Sequence, residues 1–386
     1  QAVLGRTRSW NSCADDTSHV RWGRCALMTF GQQHHETSGR HVLSFDVEEH
    51  FQVSAFWSHA RREQWDRLES RVEQNTLRLM ELLAYFETKA TFFVLGWVAE
   101  RYPGLVKALA KQGHEIASHG YGHQLVTNQT TSEFRDDVRR SKRILEDLTG
   151  ARVLGYRAPS FSITARTLWA LPILAEEGHL YDSSIFPVRH DCYGMPGANP
   201  WCHIRKTEAG NLWEVPPSTL KVGPIRIPVA GGGYFRLYPY RLLRRLLRSV
   251  ASQGHPLIMY LHPWELDPEQ PRMDGSTLSK FRHYLNLHKT EARLRRLLSD
   301  FRFTTIRNAV KEVRDAYDRY YEPIGNVRGH VVASGYNFQT DRDRSVAPWP
   351  FARASVLPPE PPDSSGGTSV ENVLVQPTHR RSHRAP

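Results

Sequence analysis

His119 and His123 stand four residues apart in the stretch HEIASHGYGH, residues 114–123. If the chain turns helically after Ser118, both imidazoles project to one side and can share a metal ion. Two histidines and one carboxylate leave an open coordination position on a zinc-like divalent ion, which is a catalytic rather than a structural ligand set. The chain has 19 histidines, so this spacing carries weight only through what accompanies it. Three further polar clusters do accompany it. Asp46, Glu48 and Glu49 close an apolar run that starts at His41. Arg157 and Ser160 follow a run ending at Tyr156, and His262 is followed by Trp264 and Glu265. Asp46 and Glu48 are two apart and share a face if a strand runs through both, so one can bind metal while the other handles protons. Arg157 can keep the base ionised through a charge-assisted pair, the plainer alternative being a structural ion pair. His262 can supply a proton to a leaving group, the plainer alternative being a core histidine.

These residues need elements to carry them. The spacing of apolar residues predicts strands at 41–46, 89–95, 114–118, 153–157, 180–183, 213–217, 225–229, 257–262 and 303–306. Helices are predicted at 72–86, at 97–112 with an interruption near Pro103, and at 132–148, 165–177, 240–253 and 290–300. Such alternation argues for an α/β fold, a distorted (β/α) barrel of about seven parallel strands, with the four polar clusters converging on one rim at the strand ends. An open doubly wound sheet competes, but no Gly-rich phosphate loop follows the first strand. The helix over 240–250, RLLRRLLR at its centre, has a leucine stripe and an arginine stripe. It reads as an outer helix packed on the sheet or as a membrane-surface helix.

Composition sets the bounds. Residues 1–40 are polar and aperiodic and read as a poorly ordered extension. The organised domain spans 41–321, and residues 322–386 are rich in Pro, Ser and Arg and read as a disordered tail. The formal charge of +11 suits an anionic environment such as acidic glycan, phosphate or a membrane surface. Nucleic acid is not expected, since no zinc knuckle, RNA-binding aromatic signature or basic zipper accompanies the charge. Four cysteines are too few for a disulfide scaffold. Cys192 and Cys202 either bridge a Gly/Pro-rich loop or stay free. No long apolar run spans a membrane, and with low cysteine and no visible signal the expected location is the cytoplasm or the periphery of the inner membrane.

The order Asp-x-Glu, Ser-His-xxx-His, Arg-x-Pro and Leu-His resembles the NodB-homology polysaccharide deacetylases, carbohydrate esterase family 4. Longer strings sharpen the likeness: SFDVEEHFQV (44–53), GYRAPSFSI (155–163), YDSSIFP (181–187), GGGYFR (231–236), LHPWELD (261–267) and FRHYLNL (281–287). They resemble the branch found with exosortase-type exopolysaccharide loci, over roughly residues 41–315. The resemblance implies a NodB-type barrel that removes N-acetyl groups from hexosamines of a bacterial exopolysaccharide or its precursor, beside membrane-bound synthesis machinery. It implies Asp46 as base, His262 as acid, Arg157 as the residue tuning Asp46, His119 and His123 as metal ligands, and the backbone N–H of Ser160 in an oxyanion hole. The chain departs from the family pattern where adjacent aspartates are usual: Val47 holds the second place. Glu48 is then the best third ligand, with Asp46 and Glu49 also open. Asp182 or Glu214 is expected to steady the catalytic histidine. Trp264 and Tyr234, with Phe161 and Trp213, are candidates to stack on sugar. Gly231–Gly233 would let backbone approach a ligand, or form a tight turn. Two other functions compete: hydrolysis of a cyclic amide such as allantoin, and a catalytically silent glycan-binding barrel.

Overall fold

Short apolar runs separated by amphipathic segments fold into a mostly parallel sheet backed by helices, in a computed structural model that describes residues 41–56, 60–191 and 193–312. The expected extension over 1–40 and tail over 322–386 lie outside these residues. So does Cys192, and with it the question of its pairing with Cys202. The strands are β1 (His41–Val47), β2 (Thr91–Val94), β3 (Glu115–Ser118), β4 (Gly155–Tyr156), β5 (Tyr181–Asp182), β6 (His203–Thr207), β7 (Gly210–Glu214), β8 (Thr219–Val222), β9 (Ile225–Pro228), β10 (Ile258–Leu261) and β11 (Phe303–Thr304). The helices are α1 (Val72–Tyr85), α2 (Gly96–Arg101), α3 (Pro103–Lys111), α4 (Thr131–Thr149), α5 (Ala170–Glu176), α6 (Gly232–Leu237), α7 (Tyr240–Ala251), α8 (Thr277–Tyr284) and α9 (Thr290–Asp300).

The main sheet has the order β10-β1-β2-β3-β4-β5-β7-β6, and β11 also pairs with β1. Every pairing is parallel except β6 with β7. No ladder joins β7 to β10 among the described residues. The segment after β7 bridges that gap: the Ser218 N–H donates to the Ile258 carbonyl at 3.1 Å, and the Ser218 hydroxyl accepts from the Ile258 N–H at 2.8 Å. A strand period of two sorts the side chains. Val42, Phe93, Ala117, Tyr181, Trp213 and Ile258 gather in one apolar cluster, while Leu43, Phe45, Phe92, Val94, Ile116 and Met259 join helical residues such as Leu79, Leu105 and Leu247 in another. Both faces of the sheet are therefore buried, which is why β2 reads as an unbroken apolar run.

Four elements escape the sequence pattern. β6 is half-exposed, β8 is short, α6 opens on glycines, and α8 presents Leu278 and Phe281 to solvent. Each lacks the one-sided apolar periodicity that makes an element visible in sequence.

Candidate active site

The His119–His123 segment is a loop, not the expected helical turn. Gly120 adopts φ 74° and His123 φ 50°, so the chain leaves β3 and reverses through left-handed conformations. That is tolerable at Gly120 and a cost at His123, held in place by its surroundings. The opening amides of α2 supply the hold: Gly96 N–H donates to Gly120 O and Trp97 N–H to Tyr121 O, each at 2.9 Å. From α4, Asp137 accepts the Tyr121 N–H at 2.8 Å and Ser141 donates to Gly120 O at 3.0 Å. Helix amides left without intrahelical partners thus satisfy a loop that carries two candidate metal ligands.

Arg157 leaves β4 and is completely buried. Its Nη1 donates to Asp46 Oδ1 at 2.6 Å and to Ser44 Oγ at 3.0 Å, while Nε and Nη2 donate to the Ser183 carbonyl and hydroxyl at 3.2 and 2.9 Å. The guanidinium lies 4.0 Å from the centre of the Phe93 ring. One oxygen of Asp46 is thereby occupied, and the other, Oδ2, faces His262 Nε2 at 3.9 Å.

Glu48 meets the two histidines. Its Oε2 lies 2.7 Å from His123 Nε2 and 3.6 Å from His119 Nε2, and the three ligand atoms lie within 4.8 Å of one another with all three residues buried. The tautomer of His119 is set from behind, because Nδ1 lies 2.8 Å from the Arg157 carbonyl, which only accepts. The neutral ring then directs the Nε2 lone pair at a carboxylate. Glu48 Oε2 has no aligned hydrogen-bond donor among the described residues. Buried acceptors converge here, and a divalent cation fits between them. Burial opposes ionisation of Glu48, yet the neighbouring His123, His262 and His119 rings hold its carboxyl well below the usual range. Glu49 is settled differently: it accepts the Ser70 hydroxyl and the Arg71 N–H, the latter at 3.0 Å. Of the three candidates for the third ligand, Glu48 alone joins the histidines.

The support of His262 corrects an expectation. Asp182 and Glu214 do not pair with it. They are hydrogen-bonded to each other, and burial raises both carboxyls, Asp182 to about 6. Asp182 also accepts from the Ser184 hydroxyl and N–H. Glu265, three residues after His262, takes the role: its Oε1 lies 2.5 Å from His262 Nδ1. Its other oxygen accepts from Arg236 Nε at 3.1 Å, and Arg236 also donates to the carbonyls of Arg282, His283 and Leu285. Gly232 leaves room for this carboxylate, since a Cβ there would overlap it. Gly231–Gly233 thus yields space to protein groups rather than to a ligand. Burial alone would lower the His262 pKa, but Glu48, Glu265 and Asp46 raise it to about 9. A cation held by Glu48 would draw it back down.

Glu265→Gln removes one of the charges that favour the imidazolium. The alkaline limb of the kcat/KM profile, where protonated His262 is lost, is expected to move down by about one pH unit. A purely structural role for Glu265 would lower activity at every pH and leave the limb in place.

Trp264 is the second correction. It is buried, with its indole stacked between His262 and His283 at centroid distances of 5.0 and 4.2 Å, so neither face is open to a sugar. Its Nε1 lies 3.3 Å from Glu48 Oε1, making it an orienting donor. Trp213 and Phe161 are core residues rather than sugar platforms. Tyr234 is half-buried and hydrogen-bonds Tyr193, whose ring stacks on Phe186 at 5.6 Å. Ser160 and Phe161 adopt φ of 51° and 52° just after Arg157, two consecutive non-glycine residues in a strained region.

Comparison with known proteins finds matches on both sides of this geometry. A model described as "Polysaccharide deacetylase" matches residues 64–174, and one described as "Domain of unknown function (DUF3473)" matches residues 183–311. The first contains His119, His123 and Arg157, and the second contains His262 and Glu265, while Asp46 and Glu48 precede both. The "Peptidoglycan deacetylase-like protein FGM2" of Gibberella zeae is 29% identical over 153 residues, 39% of this chain and 44% of that protein. A "Peptidoglycan-N-acetylglucosamine deacetylase" of Bacillus cereus is 34% identical over 96 residues, 25% of this chain and 35% of that protein. The chain thus spans less than half the length of these relatives. Among solved structures, the Puue allantoinase aligns over 79% of this chain and 100% of its own, with a TM-score of 0.48 and 16% identity. The motifs and their order agree with the two matches: the chain carries a polysaccharide deacetylase domain of the NodB-homology type, carbohydrate esterase family 4, over residues 64–174, followed by a DUF3473 match over residues 183–311.

Proposed function

We propose that this protein hydrolyses the N-acetyl group of N-acetylglucosamine-type residues in a glycan, releasing acetate and a free amine. The observation that carries the reading is the Glu48–His119–His123 set beside the Asp46–His262 pair, in a chain of this family. Glu48, His119 and His123 would hold a zinc-class ion, which would supply Lewis-acid polarisation of the amide carbonyl and of the attacking water. Asp46 Oδ2 takes the proton of that water as its oxygen bonds to the carbonyl carbon. The Ser160 N–H is assigned to the oxyanion that results. His262, held by Glu265 and stacked on Trp264, then gives its proton to nitrogen as the carbon–nitrogen bond breaks. Tyr234 and Tyr193 supply aromatic surface for the neighbouring sugar.

The finer reading is an exopolysaccharide or its precursor as substrate, supported by the DUF3473 branch. Peptidoglycan is the competing polymer, named for the curated relatives. Acetate release from chito-oligosaccharides, peptidoglycan and exopolysaccharide, measured alongside metal content, tests both levels. The expected result is acetate release that a chelator abolishes and zinc restores, strongest on the exopolysaccharide. Metal-free protein that turns over allantoin, or glycan binding with no acetate release, would overturn the deacetylase reading.

A further inference from the structure

We propose that the β8–β9 hairpin and the outer face of α7 form a docking surface for an anionic lipid bilayer. β8 and β9 pair with each other apart from the main sheet, in a register that sets Val222 opposite Ile225 and Lys221 opposite Arg226. The turn between them is Val222-Gly223-Pro224-Ile225. Residues 221–225 are all exposed, and Ile225 keeps 61% of its surface accessible. Gly223 takes φ 58°, which closes the turn tightly without a polar side chain at its tip. The tip is therefore four apolar residues long, with a cation directly behind it on each strand. Single exposed aliphatics are ordinary, but a contiguous apolar projection is not.

α7 joins the hairpin through shared core residues: Leu220 of β8 and Leu243 and Leu247 of α7 lie in one apolar cluster. The opposite face of α7 is basic. Arg241, Arg245 and Arg248 are exposed and fall on one side of the helix at spacings of four and three. Arg244 pairs with Asp300 at 3.1 Å, whereas Arg241, Arg245 and Arg248 have no ion-pair partner among the described residues, and α7 contains no acidic side chain. Leu237 and Leu242 add exposed aliphatic surface beside them.

Charge and apolar surface together select the partner. A soluble polyanion would engage the arginines and leave Val222 and Ile225 without a function. A bilayer engages both: the aliphatic tip enters the acyl boundary, Lys221 and Arg226 remain with the head groups, and the α7 arginines face anionic lipid. The surface is independent of the reaction catalysed.

Cosedimentation of the full chain with vesicles tests this. The chain is expected to sediment with a phosphatidylcholine–phosphatidylglycerol mixture and to stay in solution with phosphatidylcholine alone. The Val222→Ser/Ile225→Ser variant and the Arg241→Gln/Arg245→Gln/Arg248→Gln variant should each lower partitioning about tenfold. Both share the termini of the parent chain, so the difference reports on this surface. Melting temperature and turnover of soluble substrate should be unchanged. Vesicle binding that is insensitive to Val222→Ser/Ile225→Ser, or binding only to dextran sulfate, would overturn the proposal.

Discussion

Asp46→Asn is expected to lower kcat/KM for acetate release by about 10³-fold while leaving metal content and melting temperature close to those of the parent. Asparagine keeps an oxygen for Arg157 Nη1, which donates to Asp46 Oδ1 at 2.6 Å, so the buried guanidinium keeps its partner. What disappears is the proton acceptor that faces His262 at 3.9 Å. Asp46→Ala separates the two roles. It leaves Arg157 with only Ser44 and Ser183 as polar partners, and breaking a buried pair of this kind costs about 3–5 kcal/mol. Kinetics, metal analysis and thermal melts on both variants check the assignment. An asparagine variant that lost its metal would move Asp46 into the ligand set and sink its assignment as base.

Glu48→Gln is expected to abolish activity by a different route, through the metal. The amide keeps the shape of the carboxylate and can still accept from Trp264 Nε1, but it no longer balances a divalent charge between His119 and His123. Affinity for zinc should fall by at least about a hundredfold, and activity should return in part at high zinc concentration. The same change removes the leading charge that raises the His262 pKa, so any rescued activity should lose its alkaline limb at lower pH than the parent. Elemental analysis after dialysis, with a zinc titration of acetate release, reads both effects. Full metal occupancy with no activity would exclude Glu48 as a ligand.

Much of this site is local in sequence. Asp46, Glu48, His119, His123, Arg157 and His262 each end or follow a short apolar run, and a parallel sheet brings the ends of such runs to one rim. Their identities, order and side of the sheet follow from strand period and motif. Tertiary structure decided which polar groups turn toward one another. The histidine to be steadied was legible, but its partner was not: Asp182 and Glu214 lie at strand ends as well, yet bond to each other, while Glu265 reaches His262 because a 3-10 turn from Pro263 to Leu266 folds it back and Gly232 leaves it space. Trp264 sits where a sugar platform would be expected, but His283, from a helix the sequence does not announce, covers its second face. His119 and His123 are spaced for one helical turn, yet a left-handed loop held by Gly96, Asp137 and Ser141 presents them. Spacing fixes which side chains can be neighbours along one element, whereas contacts between elements depend on packing and on glycines whose only contribution is absent volume.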